Sequence, residues 1–502
     1  MIRDILIIGS GITGLSAALS LSNHLSPLIP DLRITIFERH FVPSTSGGAI
    51  GLSPVAFRHL DHLGVLDELA RFGPDAGADV DAIEIFSART GKSLGQVDYK
   101  GKQGTGFSAD NIYHGISGRT IRNQDGKKYK GGRVLRINLS LAMLAAIDKR
   151  PNIKIVFGKA LSGVIPLDPA NKVELVFKDN STATGDLLLG CDGVHSATRR
   201  KFIDPGREAE YSRFSLVQST IKTNSLRTSP HFRATSLNFS KSGTLLMAFC
   251  TKHHEDLFLS VMLECREEAV EGHTVHDDDD QSKRSMIKAS LSHEVSLRYG
   301  QSSIPCIKEV AAHSDIDWML YPIYQVPLGG KWFTERAILL GDAAHAMLPR
   351  DESAAYAIDD AIVFSRVLTQ YIDLPLQKTF EVYDSLRRSE VTHAFQESSK
   401  LWKRRNKDAG AFESWIRERL VPLQIRHTES SRHAAFRSDA SKVDIPPPPG
   451  TPKMVTKRNT SNTPSVLSST SSFRSASKGG SSTSSGEPVA IDLVDVSGLA
   501  IR

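Results

Sequence analysis

Four cysteines in 502 residues, Cys191, Cys250, Cys265 and Cys306, form no CxxC pair, which argues against a disulfide framework or a zinc cage. They are expected to be buried thiols in a reducing compartment. No apolar run approaches the ~20 residues that a membrane-spanning helix needs. Met1-Ile2-Arg3-Asp4 leads directly into an apolar strand, so no leader peptide is expected and the cytosol is the expected address. The one dense carboxylate cluster, His276-Asp277-Asp278-Asp279-Asp280-Gln281, is a run of like charges without a ligand cage, and it reads as a solvated loop rather than a metal site.

Net charge is modest, +6 with a pI near 9.0, and much of the excess falls between Lys400 and Arg437. That stretch also carries Leu401, Trp402, Phe412, Trp415, Ile416 and Leu420, a pattern expected of helices docked on the core with basic outer faces. No nucleic-acid-binding motif accompanies the charge, so nucleic acid is not an expected partner. A chain of this length exceeds what one hydrophobic core usually supports, and two or three units are expected.

The most informative segment is Ile7-Ile8-Gly9-Ser10-Gly11-Ile12-Thr13-Gly14. Apolar Ile5 to Ile8 reads as a buried strand, the glycines follow at GxGxxG spacing, and Leu15, Ala18, Leu19 and Leu21 continue as the inner face of a helix. Gly9 lets the chain turn, Gly11 lets backbone approach a pyrophosphate, and Gly14 lets helix pack on strand. The helix N-terminus supplies N–H groups and a positive dipole end to the anion. A second apolar strand, Arg33-Ile34-Thr35-Ile36-Phe37, ends at Glu38, where a carboxylate would take a ribose 2′-hydroxyl. Glu38 argues against a 2′-phosphate, which leaves FAD or NAD as occupant.

Two further segments separate these. Asp186-Leu187-Leu188-Leu189-Gly190-Cys191-Asp192-Gly193, continuing to Arg199, resembles the DG motif of the p-hydroxybenzoate hydroxylase-like, or group A, flavin monooxygenases, with Cys191 in the usual alanine position. Leu340-Gly341-Asp342-Ala343-Ala344-His345 resembles the second FAD fingerprint of that family, and Arg136-Ile137-Asn138-Leu139 is similar to its H-R-x-x-L segment. The resemblance covers residues 1 to about 400. It implies cofactor contacts at Gly9, Gly11, Gly14, Glu38, Arg136, Asp192, Gly193, Gly341 and Asp342, joined by Arg39, Gly51 and Ala355 from family position. It further implies FAD as cofactor, NADPH or NADH as co-substrate, O2, and a C4a-hydroperoxyflavin that hydroxylates or epoxidises a small aromatic, polyketide or terpenoid secondary metabolite.

The chain departs from the family in two places. Relatives place glycines after the Pro349 position, where this chain has Arg350-Asp351-Glu352-Ser353; an added carboxylate beside a ring that becomes anionic is unfavourable unless it points to solvent. Where salicylate hydroxylase-like relatives carry tryptophan and arginine, this chain has Val217 and Gln218, so a salicylate-like substrate is not transferred. No residue identifies itself as a catalytic base; Tyr211 and Arg213 are candidates from position alone, and His114, His231, His253, His254 and His313 read as structural or solvated. Two other classes stay open at this stage: an FAD-binding interaction protein without oxygenase activity, and a flavin-dependent dehydrogenase.

The expected architecture is α/β, a Rossmann-like FAD-binding domain interleaved with a mixed β-sheet substrate domain, followed by C-terminal helices and a disordered tail. The FAD-binding parts are placed at 1–80, 132–205 and 321–436, the last including the C-terminal helices, and the substrate parts at 81–131 and 206–320. Alternation in Thr244–Phe249 and Leu257–Leu263 marks two strands joined by a turn around His253-His254. Residues 437–502, with Pro446-Pro447-Pro448-Pro449-Gly450 and a Ser/Thr-rich run, are expected to be disordered, and Val489–Val496 there is a candidate strand or partner-binding segment.

Overall fold

The computed structural model describes residues 2–45, 47–101, 103–109, 113–114, 120–121, 127–168, 170–241, 243–267, 270, 281–349, 353–405 and 411–450. The body considered below ends at Pro446.

The leucine, isoleucine and valine runs of the sequence become a six-stranded sheet in the order Ile153–Val156, Arg33–Phe37, Asp4–Ile8, Leu187–Gly190, Ala337–Leu339, Phe333–Thr334. The first five strands are parallel and the last is antiparallel. Ile5, Ile7, Leu187, Leu188 and Leu189 are fully buried, as continuous apolar strands of a sheet covered on both faces must be. Helix Ile12–Leu25 packs along helix Ser353–Gln370 on this sheet.

A seven-stranded sheet, in the order Met319–Gln325, Glu210–Lys222, Asp256–Glu264, Gly243–Phe249, Thr235–Ser240, Ala82–Ser87, Ser93–Asp98, forms the second layer. All its pairs are antiparallel except Thr235–Ser240 with Ala82–Ser87. Alternation sorts its side chains: Leu216, Leu237, Leu246, Phe258 and Met262 join the core shared with the six-stranded sheet. Val217, Leu245, Met247, Leu259 and Val261 face the other way, against helices Gln281–Tyr299 and Pro305–Ala312. A small antiparallel sheet, Ala49–Leu52, Gly131–Leu135, Ala78–Val80, contributes Ile50, Leu52 and Val134 to the shared core.

Three expectations change. Strand Met319–Gln325 belongs to the seven-stranded sheet, with Tyr321 opposite Leu216, so the chain leaves that sheet at Val326 rather than at residue 321. Trp402 is fully buried, but Trp415, Ile416 and Leu420 are exposed; the docked side of helix Ala411–Ala435 is instead Val421 and Ile425. Residues 437–446 are packed rather than disordered, because their backbone finds fixed donors and acceptors. Arg366 donates to the carbonyls of Ala440 and Val443, His59 Nε2 accepts the Ala440 N–H, the Tyr371 hydroxyl donates to the Pro446 carbonyl, and Ala440 and Ile445 are buried. The acidic run at residues 277–280 and the tail from residue 451 lie outside the described residues.

Replacing Arg366 with Ala removes its two hydrogen bonds to this strap. We expect a loss of about 1–3 kcal/mol in urea unfolding, with the midpoint lowered and the slope unchanged; an unchanged midpoint would show that these two bonds contribute nothing.

Candidate functional site

At the carboxyl end of the central strand Asp4–Ile8 the chain turns at Gly9, whose φ of +99° and whose place 2.5 Å from the Cys191 carbonyl, measured to an added Cβ, admit only glycine. A Cβ on Gly14 would collide with the Gly9 carbonyl, so these two glycines are required by packing alone. Gly11 is different: a Cβ there would meet nothing within 4 Å. It caps helix Ile12–Leu25 with no side-chain hydrogen bond, and the first turn carries no acidic residue. That is a bare helix N-terminus with empty space before it, the environment a pyrophosphate fits. The cleft there is lined by Ser10, Gly11, Ile12, Ser44, Thr45 and Arg136.

Glu38 closes one wall. One oxygen accepts the Ser10 N–H and hydroxyl, each at 2.9 Å, and the other accepts the His40 N–H at 3.0 Å and its ring nitrogen at 2.7 Å. Burial works to raise the Glu38 pKa, but these hydrogen bonds outweigh it and hold the carboxyl below its usual value. Arg39 beside it is exposed.

The neighbouring strand Leu187–Gly190 delivers Cys191, Asp192 and Gly193 to the same edge. Asp192 accepts from the Ser196 hydroxyl at 2.5 Å and from the Thr198 N–H at 2.9 Å, which folds the following turn back on itself. Cys191 is buried, and burial raises its thiol well above the usual value, so it is a packing residue and not a nucleophile.

Strand Ala337–Leu339 brings in the third segment. Gly341 has φ +60°, and a Cβ there would collide with Thr13 of the first helix. Asp342 opens the short helix Asp342–His345. Ala355, expected from family position, is buried in the first turn of helix Ser353–Gln370. Gly51 lies in strand Ala49–Leu52 opposite Arg133. The loop residues Arg350, Asp351 and Glu352 lie outside the described residues.

Several positioning residues were not read from the sequence as part of the site. Asp360 is fully buried and accepts the Gly341 N–H at 2.8 Å, His345 Nε2 at 2.6 Å and Arg387 Nε at 2.8 Å. Burial would raise its pKa, but the His345 and Arg387 charges hold it well below the carboxylate range. Arg199, fully buried, donates to the carbonyls of Arg207, Val194 and Ala343, which ties the second segment to the third. Arg207 adds bonds to the carbonyls of Gly329 and Ala344. Trp402 Nε1 donates to the Pro349 carbonyl at 3.0 Å and the Ser398 hydroxyl to that of Leu348 at 2.6 Å, which anchors the start of the loop. The signal for Asp360 was a pair of adjacent aspartates within the apolar run Ala354–Phe364 of its helix; the arginines gave none beyond Arg199 at the end of its motif.

Two position-based candidates are corrected. Arg213 points to solvent, 73% exposed, from a bulge with φ +69°, and sits 3.8 Å from Glu264. Tyr211 packs against the core on the outer face of the seven-stranded sheet, with its hydroxyl bonded to Ser215 and Cys265, and burial raises its pKa. Neither faces the cleft side of the sheet. The loop Gly47–Gly48 does face it: a Cβ on Gly47 would come within 3.3 Å of Gln218 Oε1 and 3.5 Å of Arg136 Nε, and one on Gly48 would press on Phe258 at 2.8 Å.

A family model described as FAD binding domain matches residues 3–397. The FAD-dependent monooxygenase atnJ of Arthrinium sp is 24% identical over 398 residues, 77% of this chain and 81% of the relative. The 6-hydroxynicotinate 3-monooxygenase of Pseudomonas fluorescens is 24% identical over 417 residues, 80% of this chain and 92% of the relative. Among solved structures, HpxO of Klebsiella pneumoniae complexed with FAD and uric acid superposes with a TM-score of 0.62 at 18% identity, covering 87% of this chain and 95% of that one.

Two substitutions separate packing from binding. Gly14→Val should unfold or strongly destabilise the protein, whereas Gly11→Val should leave the thermal midpoint of the cofactor-free protein unchanged and weaken FAD binding at least ~10-fold, read by flavin fluorescence titration. Asp360→Asn should cost about 3–5 kcal/mol because it leaves the buried Arg387 guanidinium with Glu390 as its one remaining carboxylate partner among the described residues and takes the charge from the His345 contact. Because the folded-state pKa of Asp360 is depressed, its stabilisation is complete above the unfolded value of about 3.9 and is lost as pH falls below it. Acid unfolding of Asp360→Asn should therefore show a shallower pH dependence than wild type; parallel curves would contradict the assignment.

Proposed function

The chain belongs to the FAD binding domain family and is an FAD-dependent monooxygenase that uses NAD(P)H and O2; on that premise we propose which of its residues hold the cofactor and what kind of substrate it takes. The observation that carries the assignment is that three segments more than 300 positions apart from first to last meet at one edge of a parallel sheet, around an uncapped helix N-terminus. The Gly11 backbone and that N-terminus take the pyrophosphate, Glu38 the adenosine ribose, and Asp342 the ribityl chain. Arg136, reaching from the first turn of its helix to the Gly47 loop, lies along the cofactor. Gly9, Gly14, Asp192, Gly193, Gly341 and Ala355 shape the backbone around it, and Arg39 and Gly51 stand at its margins.

Bound FAD accepts hydride from NAD(P)H and passes one oxygen atom of O2 to an electron-rich carbon. The protein's own contribution is orientation and dryness. The face formed by Leu216, Leu237, Leu246, Phe258 and Met262 is buried and apolar, and excludes the water that would divert oxygen transfer. Gln218 and Ser260, hydrogen-bonded to each other at 3.2 Å, are polar handles on that face. Gln218 stands where salicylate-type relatives carry an arginine. The substrate is a small electron-rich molecule, aromatic, heteroaromatic or enolic, of secondary-metabolite type. Among the described residues no helix is long and apolar enough to cross a membrane, in keeping with the cytoplasmic location we propose.

The flavin absorbance of purified protein loaded with FAD should bleach on anaerobic addition of NADPH or NADH at a rate that substrate accelerates, and label from 18O2 should enter the product. Flavin reduction without label in any product would point to a dehydrogenase, and failure to take up FAD would defeat the assignment.

A further inference from the structure

Helix Ala411–Ala435 lies along Ser93–Asp98, the edge strand of the seven-stranded sheet. Val421, Ile425 and Glu418 fix its docked side. Val421 is buried, Ile425 sits where a Cβ on Gly95 would come within 2.8 Å, and Glu418 accepts the Ser87 hydroxyl at 2.6 Å and the Arg89 guanidinium at 2.8 Å. A helix advances about 100° per residue, so Trp415, Ile416, Leu420 and Leu423 fall on the opposite side. They are 44%, 36%, 42% and 59% exposed. Four large apolar side chains gathered on one solvent-facing arc mark a surface that meets something other than water.

The charge on this arc has one sign. Arg419 and Arg426 are exposed beside the apolar stripe, and the Arg419 guanidinium lies 4.1 Å over the Trp415 ring. Glu418, the acid between Trp415 and Arg426, is turned to the sheet. The size of the stripe argues against a protein partner: roughly 300–400 Å² of exposed apolar surface is half of the ~800 Å² per partner that a stable complex takes. A second copy of this chain on a twofold axis would also bring two sets of Arg419 and Arg426 together. A bilayer surface with anionic headgroups suits both features. Apolar side chains reach the acyl boundary there, tryptophan favours the interface, and arginines meet phosphates.

We propose that helix Ala411–Ala435 docks this protein on the surface of an anionic membrane, with Trp415, Ile416, Leu420 and Leu423 inserted at the headgroup level and Arg419 and Arg426 on lipid phosphates. The helix lies on the bilayer and does not cross it, because its other side is held by the sheet. The net charge of +6 adds long-range attraction in the same sense. The inference goes beyond the oxygenation chemistry and does not depend on it.

The test is co-sedimentation of the full-length protein with mixed phosphatidylcholine–phosphatidylserine vesicles and with pure phosphatidylcholine vesicles. Wild type should bind the mixed vesicles at least ~10-fold more tightly, and added salt should release it. The Arg419→Gln, Arg426→Gln double variant should lose that preference, and the Leu420→Ser, Leu423→Ser double variant should bind the mixed vesicles at least ~10-fold more weakly. Trp415 supplies a signal of its own. The other three tryptophans, Trp318, Trp332 and Trp402, are buried, so acrylamide quenching of the free protein reads Trp415, and mixed vesicles should protect it. If a double variant does not fold, this wild-type quenching carries the test. Absence of binding, binding that neither double variant alters, or a Trp415 already shielded without vesicles overturns the proposal. So does a dimer in sedimentation velocity that the leucine variant dissolves, since a second copy would then own the face.

Discussion

Asp360 is the group on which the geometry of the cleft depends most. A carboxylate removed from water is unfavourable unless charge and hydrogen bonds replace its hydration. Here Arg387, His345 and the Gly341 N–H do so together, and each belongs to a different element. Because the carboxylate cannot tolerate the loss of any of them, the glycine turn, the short helix Asp342–His345 and the long helix Leu376–Arg405 hold one arrangement. Arg199 and Arg207 extend the same logic, since their buried guanidinium groups donate to carbonyls of the segments they join.

Among the described residues, this scaffold leaves one helix start at the binding edge without a side-chain cap. Helix Ile12–Leu25 begins without a cap, and Gly11 faces open space, although the glycines on either side are packed against backbone. Unused donors at a helix start are unfavourable in the empty protein and become favourable when an anion arrives. The carboxyl ends of parallel strands are where such a helix start must lie, since each strand feeds the helix that follows it.

The seven-stranded sheet serves the site through one face only. Its outer face is spent on helices Gln281–Tyr299 and Pro305–Ala312, while the inner face offers a dry wall with a few polar groups, Gln218, Ser260 and Thr235. Tyr211 and Arg213 show how sharply this matters. Both lie on the strand that carries Gln218, yet one sits on the outer face and the other in a bulge. A strand's alternation decides what a residue can reach, and a bulge of uncertain position leaves that parity unreadable from sequence.

The local chemistry was legible in the sequence alone. Glycine spacing, apolar strands and a strand-ending glutamate are constraints on neighbouring backbone, and they determined the strand–turn–helix at Gly9–Gly14, the strand ending at Glu38, the hairpin around His254 and the family resemblance. Only the tertiary structure decided which distant groups meet. Asp360 with Arg387, Arg199 with the Ala343 carbonyl, and Arg366 with the strap at residues 440–446 leave no periodic trace. A buried polar residue is chosen for partners far along the chain, and local pattern carries no record of a partner brought close only by folding.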